Sequence, residues 1–177
     1  MKVPVNLFPA TARLVVLLLS LSSFIDPQLN PVSLKSLFIY NFTKHVDWPE
    51  NGAQYISIGI VNDQRLTEKL QQVLKNKKVK EKSFEVLPVQ TPDDAKFCQL
   101  IFIPAEHGYQ IKNFVKTFEG KAVLIVTEGT GMTLKGAAIS LIKDNDRLTF
   151  EVNENVISRS GLNVSKELIR LGIPVKK

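Results

Sequence analysis

Cys98, His45 and His107 are the side chains of this 177-residue chain best suited to nucleophilic or metal chemistry, and their spacing serves neither. A zinc site needs ligands grouped at short intervals, and two scattered histidines with one cysteine make no such group. Cys98 stands beside Leu100-Ile101-Phe102-Ile103, which predicts a buried, inert thiol. A single cysteine forms no internal disulfide. His45 falls near the end of a helical stretch, where its ring can favour the last carbonyls, and His107 adjoins a glycine at the start of another. The carboxylate pairs Asp93 with Asp94 and Asp144 with Asp146 lie in turn-like contexts, where Asp bonds its own backbone, so neither supplies a general acid. There is no Gly-x-Ser-x-Gly elbow and no Walker sequence. What remains is the loop 128–136. It follows an apolar strand, where α/β proteins place ligands, and its Gly129, Thr130 and Gly131 are the candidate ligand-loop residues. It lacks the full Gly-x-Gly-x-x-Gly pattern and leads into a strand, so a plain turn is the competing reading. No catalytic residue, metal ligand or cofactor is assigned.

The elements that would position these residues follow from periodicity. Leu34, Leu37, Phe38, Phe42 and Val46 recur at helical spacing and predict a helix over about 33–46, with Ser33 as N-cap and Pro49 ending it. Residues 55–61 read as a strand rich in β-branched side chains. Leu66, Leu70, Val73 and Leu74 define a second helix capped by Asp63. Residues 84–89 alternate as a strand that Pro88 confines to an edge or a strand end. Residues 93–95 begin a short helical turn. The apolar runs 100–103 and 121–127 are strands covered on both faces, with a helix over about 106–117 between them. Strands at 137–142 and 147–152 form a hairpin around 144–146. Helices at 153–160 and 164–171 close the chain, with Gly161 breaking between them. This alternation predicts an α/β fold: a three-layer sandwich, mostly parallel, with helices on both faces and a C-terminal β-hairpin at one edge.

The N-terminus is set apart by composition. Lys2 and Arg13 are the only charges before Asp26, and residues 14–25 form an apolar run with Ser20, Ser22 and Ser23 near its end. About twelve residues suit the h-region of a secretory signal and fall short of the roughly 20 that span a bilayer. A signal peptide is expected over 1–25 and a folded domain over 31–175, with export from the cytoplasm. No later run reaches the length of a membrane span. The net charge is +6, or +4 without Lys2 and Arg13, and much of the excess lies in 75–82. A solvated lysine-rich loop explains that run. Nucleic acid is not an expected partner, because export removes the chain from it and no aromatics interleave the lysines.

Two segments carry a family resemblance. One is Leu37-Phe38-Ile39-Tyr40-Asn41-Phe42-Thr43-Lys44-His45-Val46-Asp47-Trp48-Pro49. The other is Phe150-Glu151-Val152-Asn153, continued by Ser160-Gly161-Leu162-Asn163-Val164-Ser165 and Leu168-Ile169-Arg170-Leu171. With Phe97-Cys98-Gln99-Leu100-Ile101-Phe102-Ile103 between them, the chain resembles the YfiR-like family of exported bacterial proteins over about 33–172. The resemblance implies a periplasmic three-layer α/β domain without enzymatic activity. It implies as partner the periplasmic domain of a membrane signalling protein such as a diguanylate cyclase or sensor kinase, which the chain would tune or repress. Family members often carry several disulfide-forming cysteines, and this chain has only Cys98.

Asn41, Lys44, Trp48 and Asn153 are the expected partner-binding residues. A structural reading stands beside that one: Trp48 buries its ring and bonds through its polar end, and Asn153 caps a helix. A homodimer stays open. The alternative function is a periplasmic small-ligand-binding protein, its pocket formed by loop 128–136 and the carboxyl ends of the strands.

Overall fold

The structure, a computed structural model, describes residues 30–50, 52–145 and 147–175. The expected signal peptide over 1–25 lies outside the described residues, and so does Asp146. The folded unit begins at Pro31. Helix α1 (Pro31–His45) opens on a proline, whose missing N–H is no loss in a first turn, and ends on Lys44 and His45. It starts two residues before the expected Ser33. Val46–Asp47 (β1) follows, then β2 (Tyr55–Val61), α2 (Gln64–Leu74) and β3 (Ser83–Val89). Asp63 caps α2 by accepting the Leu66 N–H at 2.9 Å. A 3-10 turn at Pro92–Ala95 leads to β4 (Leu100–Ile103). A second turn at Ala105–Gln110 precedes α3 (Ile111–Thr117) and β5 (Leu124–Glu128). The hairpin is β6 (Ile139–Asp144) and β7 (Arg147–Val152). The chain closes through α4 (Glu154–Arg159), β8 (Asn163–Val164), α5 (Lys166–Leu171) and β9 (Ile173–Pro174).

The main sheet has the order β3-β2-β4-β5-β6-β7-β9. β3 to β6 with β2 are mutually parallel, β7 is antiparallel to β6, and β9 is parallel to β7. Pro88 sits in β3, the edge strand, where its missing N–H breaks no ladder. Alternate residues of the central strands feed two separate cores. On one face Ile58, Leu100, Phe102, Leu124 and Val126 pack with Ile39 and Phe42 of α1, with Leu66 and Leu70 of α2, and with Leu168 of α5. On the other, Ile101, Ile103 and Ile125 pack with Cys98, Ile111, Phe114 and Phe118. Two cores on one sheet make the expected three-layer α/β sandwich.

Local boundaries differ where hydrogen bonds compete with periodicity. The strand expected from 121 starts at Leu124, because the Val123 N–H is turned back to the Lys121 carbonyl at 2.7 Å. The helix expected over 106–117 is divided between a 3-10 turn and α3. The last helix expected from 164 starts at Lys166. Residues 163–164 pair instead with β1, Val46 against Val164, and Ser165 caps α5 by accepting the Leu168 N–H. β9 adds two residues outside the hairpin. The hairpin stands at the expected end of the sheet, one strand in from the edge.

Candidate functional site

The loop 128–136 leaves the carboxyl end of β5 and folds over the sheet. Gly129, Gly131 and Gly136 hold positive φ, which permits the turns. One of its amides, that of Gly131, faces a carboxylate supplied by the protein. Glu151 of β7, only 8 % exposed, accepts the Gly131 N–H on both oxygens at 3.2 and 3.3 Å and the Thr133 hydroxyl at 2.9 Å. Beside it, Thr127 donates to Ser140 Oγ at 3.0 Å and Ser140 donates to the Gly129 carbonyl at 2.6 Å. Gly129 and Gly131 are thus bonded to the sheet, while Thr130 is exposed. At the same end of the strands Lys35 pairs with Glu128 at 2.8 Å, and the Ala105 N–H reaches the same carboxylate at 3.4 Å. His107 Nδ1 is buried nearby without a hydrogen-bond partner.

The four expected contact residues fall in three places. Asn153 is 2 % exposed. Its side chain caps α4 by accepting the Val156 N–H at 3.1 Å and donates to the Thr133 carbonyl at 3.4 Å, so it ties α4 to the same loop. Asn41 and Lys44 lie on the exposed side of α1, where Lys44 donates to Asn41 Oδ1 at 3.0 Å. Lys44 Nζ also stands 4.2 Å from the centre of the Tyr40 ring, and Lys77 Nζ from the α2–β3 loop stands 5.1 Å from it. The ring itself is fixed edge-to-face on Phe84, centroids 5.9 Å apart. Two cations therefore share one rigid aromatic platform. The ion pairs of this region use Lys78, Lys80 and Lys82, and involve neither Lys44 nor Lys77.

Trp48 belongs to a different surface, at the opposite end of the parallel strands from loop 128–136. It is half-buried, and its Nε1–H donates to the Gln99 carbonyl at 3.0 Å. That carbonyl also accepts the Leu124 N–H at 2.8 Å, and the Gln99 side-chain oxygen accepts the Ser57 N–H at 2.7 Å. One glutamine thereby joins Trp48 to β2 and β5. Around it an open cavity of about 470 Å³ is lined by Trp48, Pro49, Tyr55 and Phe97. Phe97 is 84 % exposed and Tyr55 53 % exposed. Sequence reasoning singled out neither as a contact, because Phe97 precedes an apolar strand and reads as core. The turn framed by Lys96 and Gln99 holds the signal, since in it Cys98 points inward and Phe97 outward. Burial, and then the charge of Glu85, push the Cys98 thiol up to about 11. In the turn ahead of it the Asp94 carboxyl is held below its usual value by the Thr91 N–H, the Thr91 hydroxyl and the Gln90 N–H.

Among the described residues no group of three or more His, Cys, Asp or Glu side chains could hold a metal ion, and no helix is long and apolar enough to cross a membrane. No curated protein matches the sequence. Among solved structures the fold is similar to a conserved domain protein of Vibrio cholerae O1 biovar El Tor, at 13% identity and TM-score 0.56, over 82% of this chain and 60% of that one. It is also similar to the ABC domain in complex with L-Trp from Streptococcus pneumoniae, at 11% identity and TM-score 0.54, over 83% and 61%. This chain thus spans about three fifths of either structure, and the likeness is one of fold. The sequence profile of one family matches residues 32–173, from the second residue of α1 to the first of β9. The chain belongs to the YfiR/HmsC-like family.

Proposed function

We propose that this protein is a periplasmic, non-enzymatic regulator that binds the periplasmic domain of a membrane signalling protein, a diguanylate cyclase or a sensor kinase, and holds it in its inactive state. Family membership supports a regulatory rather than a catalytic part. The observation that carries the reading is the cationic platform on α1, where Lys44 and Lys77 flank Tyr40 beside Asn41. A fixed aromatic ring with two exposed cations suits an acidic protein surface, and steering by such charges raises association rates at low salt. Repression then works by population shift: the regulator binds the inactive conformer better and stabilises it by that difference.

The test is capture of the protein from membranes of its own cell with wild-type chain and with Lys44→Glu/Lys77→Glu. Wild type should recover a membrane signalling protein, more strongly at low ionic strength, and the charge-reversed chain should recover about tenfold less of it. Recovery of no signalling protein by wild type, or equal recovery by both chains, would count against the proposal.

A further inference from the structure

The cavity beside Trp48 carries a charge that the protein itself leaves unbalanced, and it supports an inference independent of the reading above. On its lining Glu85 stands opposite Ser57 in the register of β2 and β3, and the buried Ser57 hydroxyl donates to Glu85 Oε2 at 3.0 Å. That bond fixes the carboxylate. The acids that pair with the surrounding lysines are Asp47, Glu50 and Asp93, and Glu85 is not among them. Lys96 also lines the cavity, but it is the partner of Asp93 at 3.4 Å, so the uncompensated charge is negative. The field of Glu85 reaches the cavity wall, where it stands second to burial in raising the Cys98 thiol.

Aromatic rings share that lining. Tyr55 lies two residues before Ser57 and so on the same face of β2, while Phe97 is exposed and belongs to neither core. The Trp48 indole is held by its N–H on the Gln99 carbonyl at 3.0 Å. Aromatic faces attract cations, more strongly where water is partly excluded, so a carboxylate among rings is a place for positive charge. The walls decide which cation. A primary ammonium or a guanidinium brings N–H donors that rings leave unsatisfied. A quaternary ammonium has no N–H, and it can bury its methyl groups against the rings with Glu85 as counter-charge. The cavity volume, about 470 Å³, lies in the range of small-molecule sites. We propose that this cavity binds a quaternary ammonium group, its methyls against Trp48, Tyr55 and Phe97 and its charge facing Glu85.

The experiment is a titration with choline at constant ionic strength, on protein recovered from cells expressing all 177 residues, followed by the fluorescence of Trp48, the only tryptophan. Wild type should give a saturable change. Ethanolamine, the same skeleton with a primary ammonium, should bind about tenfold more weakly. Glu85→Gln removes the charge and keeps an acceptor for the Ser57 hydroxyl, and Phe97→Ala removes a wall without touching either core. Each should raise the choline Kd about tenfold and leave the thermal midpoint of the ligand-free protein unchanged. Cosedimentation with phosphatidylcholine vesicles separates the two sources of such a group. Binding to vesicles that is lost in Glu85→Gln assigns the group to a lipid headgroup, and a response to choline without vesicle binding assigns it to a soluble molecule. A wild-type chain that responds to neither overturns the inference. Equal affinity for ethanolamine, or an unchanged Kd in Glu85→Gln, overturns it as well.

Discussion

At the scale of single residues, the two shifted titrations define how the turn before β4 behaves. Cys98 is shielded from solvent and packed against Gly59, where a Cβ would stand 3.0 Å from its sulfur and 2.8 Å from Val89. With its thiol pushed up to about 11, Cys98 is protonated at neutral pH and presents no thiolate. Iodoacetamide should therefore label it only after unfolding, and rapid labelling of native protein would contradict the burial. The linkage has a definite sign. The folded value lies above the unfolded one of about 9, so the unfolded chain releases its proton first as pH rises. Stability is unaffected below that range and falls between about 9 and 11, by a loss on the order of 2 kcal/mol that Cys98→Ala should lack. Asp94 runs the other way. Its carboxylate is stabilised by the donors on Thr91 and Gln90, so its contribution is present above its unfolded value of about 4 and is lost as pH falls through the lower folded one. An NMR titration of Thr91→Ala should show the Asp94 carboxyl moving back up toward 3.8, since the hydroxyl donor is gone.

At the scale of elements, the loop 128–136 is governed by a strand that follows it in sequence. Glu151→Ala would leave the Gly131 N–H and the Thr133 hydroxyl without their acceptor, which costs about 3 kcal/mol in urea unfolding, while Glu151→Gln keeps an acceptor oxygen and costs about 1. Hydrogen exchange of the Gly131 amide should quicken in the alanine variant; a protected amide would mean that something else holds the loop. This latch marks where sequence reading stops. The glycines announce a loop able to turn its amides inward, but only the register of β6 against β7, Ser140 opposite Glu151, brings a carboxylate to them. Elements fixed by local pattern were legible: α2 with its Asp63 cap, the two apolar strands, and Pro88 on an edge. Those fixed by distant pairing were not. β1 and β8 are two residues each, too short for any periodicity, and exist only because Val46 meets Val164. Phe97 escaped for the same reason. Apolar composition predicts burial, and only the turn geometry set by Cys98 and Gln99 turns the ring outward.

At the scale of the whole molecule, the two cores are halves of one sheet. Leu100 and Phe102 face α1 and α2, while Ile101 and Ile103, which alternate with them, face α3. Neither core can lose its packing without dissolving strands that the other needs, so unfolding should be one cooperative transition. Trp48 is the only tryptophan, and it reports from the amino end of the parallel strands beside Gln99, whereas far-ultraviolet dichroism reports from all helices and strands. The two probes should therefore give the same midpoint, and a tryptophan transition at lower denaturant would show that this end of the sheet loosens before the two cores do.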